Sequence, residues 1–111
     1  MSGKLGDVLA AVYSLPIGGR LYVKGAHPWN RETPAWVLEV EEEELGLNGE
    51  TEFSKQHGLK YVFPVVDLLQ IVVYAEQQVS KPTVNQLVES LNYYYKYDAF
   101  LELPKVDEAK N

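Results

Sequence analysis

PVVDLLQIVVYAEQQ, residues 64–78, decides how the rest of the chain must be arranged. On a helix with Val65 as origin, Val65, Val66, Leu68, Leu69, Ile71, Val72, Val73 and Ala75 cover well over half the circumference. Asp67, Gln70, Tyr74, Gln77 and Gln78 share one narrow polar strip. A surface helix shows the reverse proportion, so this one is expected between layers, with only the strip near water. Glu76 falls on the apolar side in the last turn, where its side chain is expected to bend outward. The helix stops at Ser80-Lys81-Pro82, because the residue before a proline avoids helical angles.

On its C-terminal side, Thr83 starts a second helix, with Gln86 three residues on as a capping box. Val84, Leu87, Val88, Leu91 and Tyr95 form the inner stripe, with Tyr94 at its edge. Tyr93 and Tyr97 fall on the opposite side, one turn apart, and Asp98 ends the helix. Ala99 to Leu103, AFLEL, reads as a final strand with Phe100 and Leu101 on opposite faces. The tail after Pro104, residues 105–111, is expected to fray.

On its N-terminal side, Leu5 to Leu15 reads as a helix with Leu5, Val8, Val12 and Leu15 on one face and Leu9 beside them. Pro16 and Gly18-Gly19 stop it. Arg20 to Lys24 is a short strand, and the proline-bearing segment from Gly25 to Ala35 is a loop. Trp36 to Glu42 is a second strand, with Trp36, Leu38 and Val40 expected inward and Val37, Glu39 and Glu41 outward. Asn48-Gly49 signals a turn. Thr51 to His57 is a short helix with Gly58 as the residue after its cap, and Lys60 to Phe63 a third strand. The expected order is α-β-β-α-β-α-α-β: an α+β chain with one domain over residues 1–104 and a small, mostly antiparallel sheet packed by helices.

Composition narrows the function classes. The chain has no cysteine, which removes disulfides, thiolate nucleophiles and Cys-based zinc sites, and fits a reducing, cytoplasmic setting. The start has no signal-peptide pattern, and no apolar run approaches the roughly 20 residues needed to span a bilayer. The net charge is −6, and residues 35–54 hold seven acidic and no basic groups, so one window accounts for the acidity. Such a balance opposes nucleic-acid binding, which needs a basic face, and favours a basic partner.

No catalytic constellation stands out, and no cofactor or metal is expected. His57 sits at a helix C-terminus, where the dipole favours a cation, and His27 is read as exposed beside Pro28. Glu41 to Glu44, on a strand, alternate up and down and do not converge on one ion; the EF-hand spacing is absent. A solvated sheet rim is the bland explanation for them, but such rims are served as well by mixed charge. The alternative is a surface that draws in a basic protein. Trp29 has two readings, a lid folded onto the core, which is favoured, or an exposed anchor for a partner. Tyr93 and Tyr97 are equally compatible with packing under another element and with an interface. An enzyme gathering Asp67, Glu76 or His57 in a pocket, and a homodimer built on Tyr93, Tyr97 and a sheet edge, are the rival readings.

The order of segments LYV, WVLEV with its glutamate run, GLKYVF, DLLQIVVYAEQQ and PTVNQLVESLNYYYKYDAFLEL resembles a family of small bacterial immunity proteins associated with polymorphic and contact-dependent growth inhibition toxins. The resemblance covers Leu5 to Leu103 and is most specific in the tyrosine-rich helix with YDAFLEL. It implies a non-enzymatic protein that binds a cognate toxin domain, often a basic nuclease, and blocks its active site. The expected steering carboxylates are Glu39, Glu41, Glu42, Glu43, Glu44, Glu50 and Glu52, with Trp29, Tyr93 and Tyr97 as candidate anchors.

Overall fold

The computed structural model describes residues 2–46 and 49–103, and of Glu42 the backbone alone. Eight helices and strands follow one another among the described residues: β1 (Ser2–Lys4), α1 (Leu5–Ala10), β2 (Gly19–Val23), β3 (Pro34–Glu39), α2 (Glu52–Gln56), β4 (Lys60–Pro64), α3 (Val65–Gln78) and α4 (Val84–Tyr97). Short 3-10 turns occupy Val12–Ser14 and Glu42–Glu44. The strands form one antiparallel sheet in the order β1-β3-β2-β4, so the fold is α+β and the two early strands do pair antiparallel.

The order differs from expectation at both ends. Ser2–Lys4 is an added edge strand on β3, in register Ser2 opposite Trp36 and Lys4 opposite Pro34. It is exposed throughout and carries no apolar residue, so nothing in its sequence announces a strand. The expected strand Ala99–Leu103 is absent. That segment is an irregular strap whose backbone is taken up by one side chain: Gln78 donates from Nε2 to the Leu101 carbonyl at 3.0 Å, and Leu103 N–H donates to Gln78 Oε1 at 2.6 Å. Phe100 stacks on Tyr74 with centroids 4.6 Å apart, and Leu103 is buried. Gln78 therefore is no member of a solvent strip; its amide does for the strap what a neighbouring strand would do. Gln78→Ala is expected to cost about 1–3 kcal/mol, the scale for leaving buried backbone groups unsatisfied, and urea denaturation checks it. Residues 104–111, where the expected frayed tail falls, lie outside the described residues.

The sheet has two covered faces. Helices α1, α3 and α4 pack on one, where Leu21, Val23, Ala35 and Val37 meet Leu5, Leu9, Leu68 and Leu91 in one buried cluster. The inward residues of β3 are thus Ala35 and Val37, the reverse of the expected Trp36, Leu38 and Val40. Trp36 and Leu38 pair with Tyr22 and Arg20 on the second face. Tyr22 is fully buried there, its hydroxyl donating to the Gly49 carbonyl at 2.7 Å and its ring 5.5 Å from Tyr61. A strand covered on both sides carries apolar residues on both, so alternation does not reveal which side meets the helices.

β3 also ends earlier than expected. Its ladder with β2 stops at Gly19 opposite Glu39, and beyond that pair no described strand remains to hold the chain extended. Glu42–Glu44 turn as a 3-10 helix instead. The capping box at Thr83 and the Gly58 position are as expected, whereas Thr51, expected inside the short helix, is its cap. Thr51 and Thr83 both form capping boxes, with Ser54 and Gln86. Gly58 takes φ +66° after α2, with Leu59 N–H donating to the Ser54 carbonyl and Gly58 N–H to that of Lys55. α1 breaks at Ala11, shorter than expected, yet Leu5, Val8, Leu9, Val12 and Leu15 are all buried. On α3, Val66 and Val73 are exposed and Leu69 half-buried, so this helix shows water an apolar strip as well as polar residues.

Candidate functional site

The second sheet face carries the acidic window. From the end of β3 the chain turns through Glu42–Glu44 and returns at Thr51 into α2, so the two arms face each other across a groove of about 450 Å³. Leu38, Val40 and Phe53 form its apolar floor, and Glu44 and Glu52 stand at its rim, while Glu39 joins the lining from the strand end with its side chain in phase with Val37. Phe53 is 40% exposed although His57 stacks on it, with centroids 4.1 Å apart. His57 is the C-cap residue of α2, and its Nδ1 donates at 2.9 Å to the Phe53 carbonyl, which also accepts the His57 backbone N–H at 3.1 Å.

The fold therefore brings Glu44 and Glu52 together, whereas Glu39, in phase with Ala35 and Val37, belongs by strand alternation to the helix-covered side. Glu50 lines a neighbouring hollow with Lys60, Tyr61 and Tyr95, while Glu41 and Glu43 are exposed on the turn. The side chain of Glu42 and the residue Asn48 lie outside the described residues. Among the described residues, none of these carboxylates makes an ion pair. The two ion pairs among the described residues, Lys4 with Glu32 at 2.8 Å and Arg31 with Glu32 at 3.9 Å, lie on the β1 side. Partnership with Lys4 holds the Glu32 carboxyl below its ordinary range and raises the Lys4 ammonium.

Aromatic residues build a second concavity, of about 800 Å³, where His27 and Pro28 face Asn92, Tyr93, Tyr95 and Tyr97 of α4. Trp29 lies beneath it rather than in it. At 4% exposure it is the lid on the core and not an exposed anchor. Asn92 fixes it from both sides, accepting from Trp29 N–H at 2.9 Å and donating to the Trp29 carbonyl at 2.8 Å. The indole N–H donates to the Gly25 carbonyl at 2.9 Å. His27, expected exposed, is half-buried: Nε2 donates to the Asn92 carbonyl at 3.1 Å and the ring packs on Trp29 and Tyr95. Tyr93 and Tyr97 pack on each other with centroids 4.6 Å apart, Tyr97 being 55% exposed.

The groups of the enzyme reading sit in three different surroundings. Glu76 accepts from the Tyr13 hydroxyl, Asp67 lies within electrostatic reach of Asp98, and His57 caps α2. Burial first, and Asp98 second, push the Asp67 carboxyl above its ordinary range. Among the described residues no group of three or more histidines and carboxylates is placed to hold a metal ion. No described helix is long and apolar enough to cross a membrane. Phe53 and Asn92 are the site residues that sequence reasoning misses. An apolar residue directly inside a capped, otherwise polar five-residue helix is the signal that marks Phe53.

No curated protein and no solved structure matches the chain. A family model does match, over residues 2–103, and so nearly the whole chain is covered by it. The chain belongs to the family described as Domain of unknown function (DUF7716).

Proposed function

We propose that this chain is a binding protein of the immunity class, which neutralises a cognate bacterial toxin domain, a basic nuclease, by presenting the carboxylates of residues 39–52 to its phosphate-binding surface. The observation that carries this reading is the lack of internal cation partners among the described residues. Glu39, Glu41, Glu43, Glu44, Glu50 and Glu52 are exposed, and none is ion-paired among the described residues. A rim built only for solubility needs no such one-sided excess. Carboxylates without ion-pair partners attract a positive surface and speed its approach. The cytoplasm, where a nuclease meets its substrate, is where such an inhibitor acts. Co-expression with the toxin domain encoded beside this chain tests the reading: the intact protein restores growth and co-purifies with the domain. Growth arrest that persists with the folded protein present in excess overturns it.

A homodimer is a second reading with its own observation. Leu69 and Val73 of α3, with Tyr74 and Phe100, line an apolar hollow of about 310 Å³ on the surface. Sedimentation of the pure protein distinguishes the two. A dimer that Val73→Glu dissociates supports self-association, and a monomer throughout the micromolar range ends that reading.

A further inference from the structure

The groove between β3 and α2 has two chemistries in one small space. Its floor is hydrocarbon and aromatic, from Leu38, Val40 and Phe53; its rim is anionic, from Glu44 and Glu52. Among the described residues no lysine or arginine lines it. At about 450 Å³ it falls in the size range of ligand sites, roughly 300–1,000 Å³. The occupant that satisfies both chemistries has an apolar stem ending in a cation, which describes a basic side chain laid along the floor.

Arginine fits better than lysine. A guanidinium is planar and weakly hydrated, so it stacks on an aromatic ring while its fork of N–H groups reaches carboxylates. An ammonium is compact and strongly hydrated and gains less from the ring. Cation–ring pairs of both kinds occur within the chain, Arg20 at 6.0 Å from the Tyr61 ring centre and Lys60 and Lys96 at 5.5 and 5.2 Å from those of Tyr95 and Tyr97, so the choice of arginine rests on the planarity and weak hydration of its head group. Arg20 stands opposite Leu38 in the sheet but turns toward Tyr61, its Nη1 3.5 Å from the Tyr61 hydroxyl. The arginine nearest the groove along the sheet is thus drawn to a ring outside it.

We infer that this groove receives an arginine side chain projecting from an extended segment of a basic protein partner. The inference rests on reading the acidic face as a protein-binding face and adds to it the position and the residue type recognised. Phe53 is the anchor platform, and Glu44 and Glu52 fix the guanidinium.

Titration of the intact chain with capped hexa-arginine, hexa-lysine and hexa-glutamate peptides, by calorimetry and amide chemical shifts at low salt, is the test. Hexa-arginine is expected to bind with shifts centred on Leu38, Val40 and Phe53, about three- to fivefold tighter than hexa-lysine, the preference that exposed cation–π stacking confers. Phe53→Leu keeps the apolar floor and removes the ring; the arginine preference should vanish with it. Glu52→Gln, an exposed change in the first turn of α2, provides a second variant that leaves the fold alone and should weaken hexa-arginine severalfold. Neutralising Glu89 and Glu102, away from the groove, should not. Equal affinity for the two cationic peptides, unchanged by Phe53→Leu, overturns the groove as the site and leaves the acidic face standing. No binding of either cationic peptide at low salt overturns both.

Discussion

Changing Glu41, Glu42, Glu43 and Glu44 to glutamine is expected to slow association with the basic toxin domain about 10- to 100-fold at low ionic strength, within the range that electrostatic steering supplies. The four positions are more than half of the seven carboxylates in the window, and no basic group between residues 35 and 54 offsets them. At an ionic strength of about 0.01 M the screening length is roughly 30 Å, so the whole face acts on an approaching partner at once. At about 0.15 M it shrinks to roughly 8 Å, and the difference between variant and parent should narrow. Stopped-flow association rates across that range read both effects. The dissociation rate should move less, because the affinity of such interfaces resides in a few desolvated contacts near their centre. The fold should hardly notice: Glu41, Glu43 and Glu44 are exposed and bond to no cation among the described residues, so the melting temperature should shift by no more than about 2 °C. An association rate and salt slope equal to the parent's would remove the glutamate turn from the binding surface.

Legibility of the fold in the chain itself differs from element to element. The capping box at Thr83 and the left-handed Gly58 are readable because each is a local device, complete within a few residues; the box at Thr51 is not, because Ser54 stands where the pattern has Glu or Gln. The position of the two central helices follows from their periodicity for the same reason. The phase of β3 is not readable. Trp36 and Leu38 look like core residues because they are, in part, covered by the α2 side of the sheet, and only pairing with β2 decides that Ala35 and Val37 meet the helices. AFLEL has the composition of a strand, but Gln78, more than twenty residues away, reaches its backbone before any strand does. Trp29 likewise depends on Asn92, which is 63 positions distant and closes both its backbone groups. The acidity of residues 35–54 is plain from charge alone. That two of those carboxylates flank an apolar floor is not, because Leu38 and Phe53 come together only when the turn folds back across the sheet.

What holds that turn against the sheet sets the second large effect, expected for Gly49→Ala. Gly49 has φ +75°, a conformation in which a β-carbon costs about 1–2 kcal/mol. A β-carbon there would also lie 2.6 Å from Tyr61 Cδ2 and 2.8 Å from its Cγ, well inside contact distance. Relieving that overlap by shifting the ring or lifting the backbone adds a further penalty of about 1–3 kcal/mol, as overpacking does elsewhere. The Tyr61 ring has little freedom, since Tyr22 packs against it and Arg20 lies over it. Lifting the backbone instead breaks the bond from the Tyr22 hydroxyl to the Gly49 carbonyl. Gly58→Ala is the control. Gly58 also has positive φ, at +66°, but a β-carbon on it would meet no described atom within 4 Å, so it bears the conformational cost alone. Urea denaturation should therefore place Gly49→Ala well below Gly58→Ala in stability, and Tyr61→Leu should recover part of the gap by making room. Equal losses for the two alanine variants would mean that the acidic arm is not seated on the Tyr22–Tyr61 pair. In that case the groove would have no fixed wall on its α2 side, and the carboxylates would be presented by a loose chain rather than by the sheet.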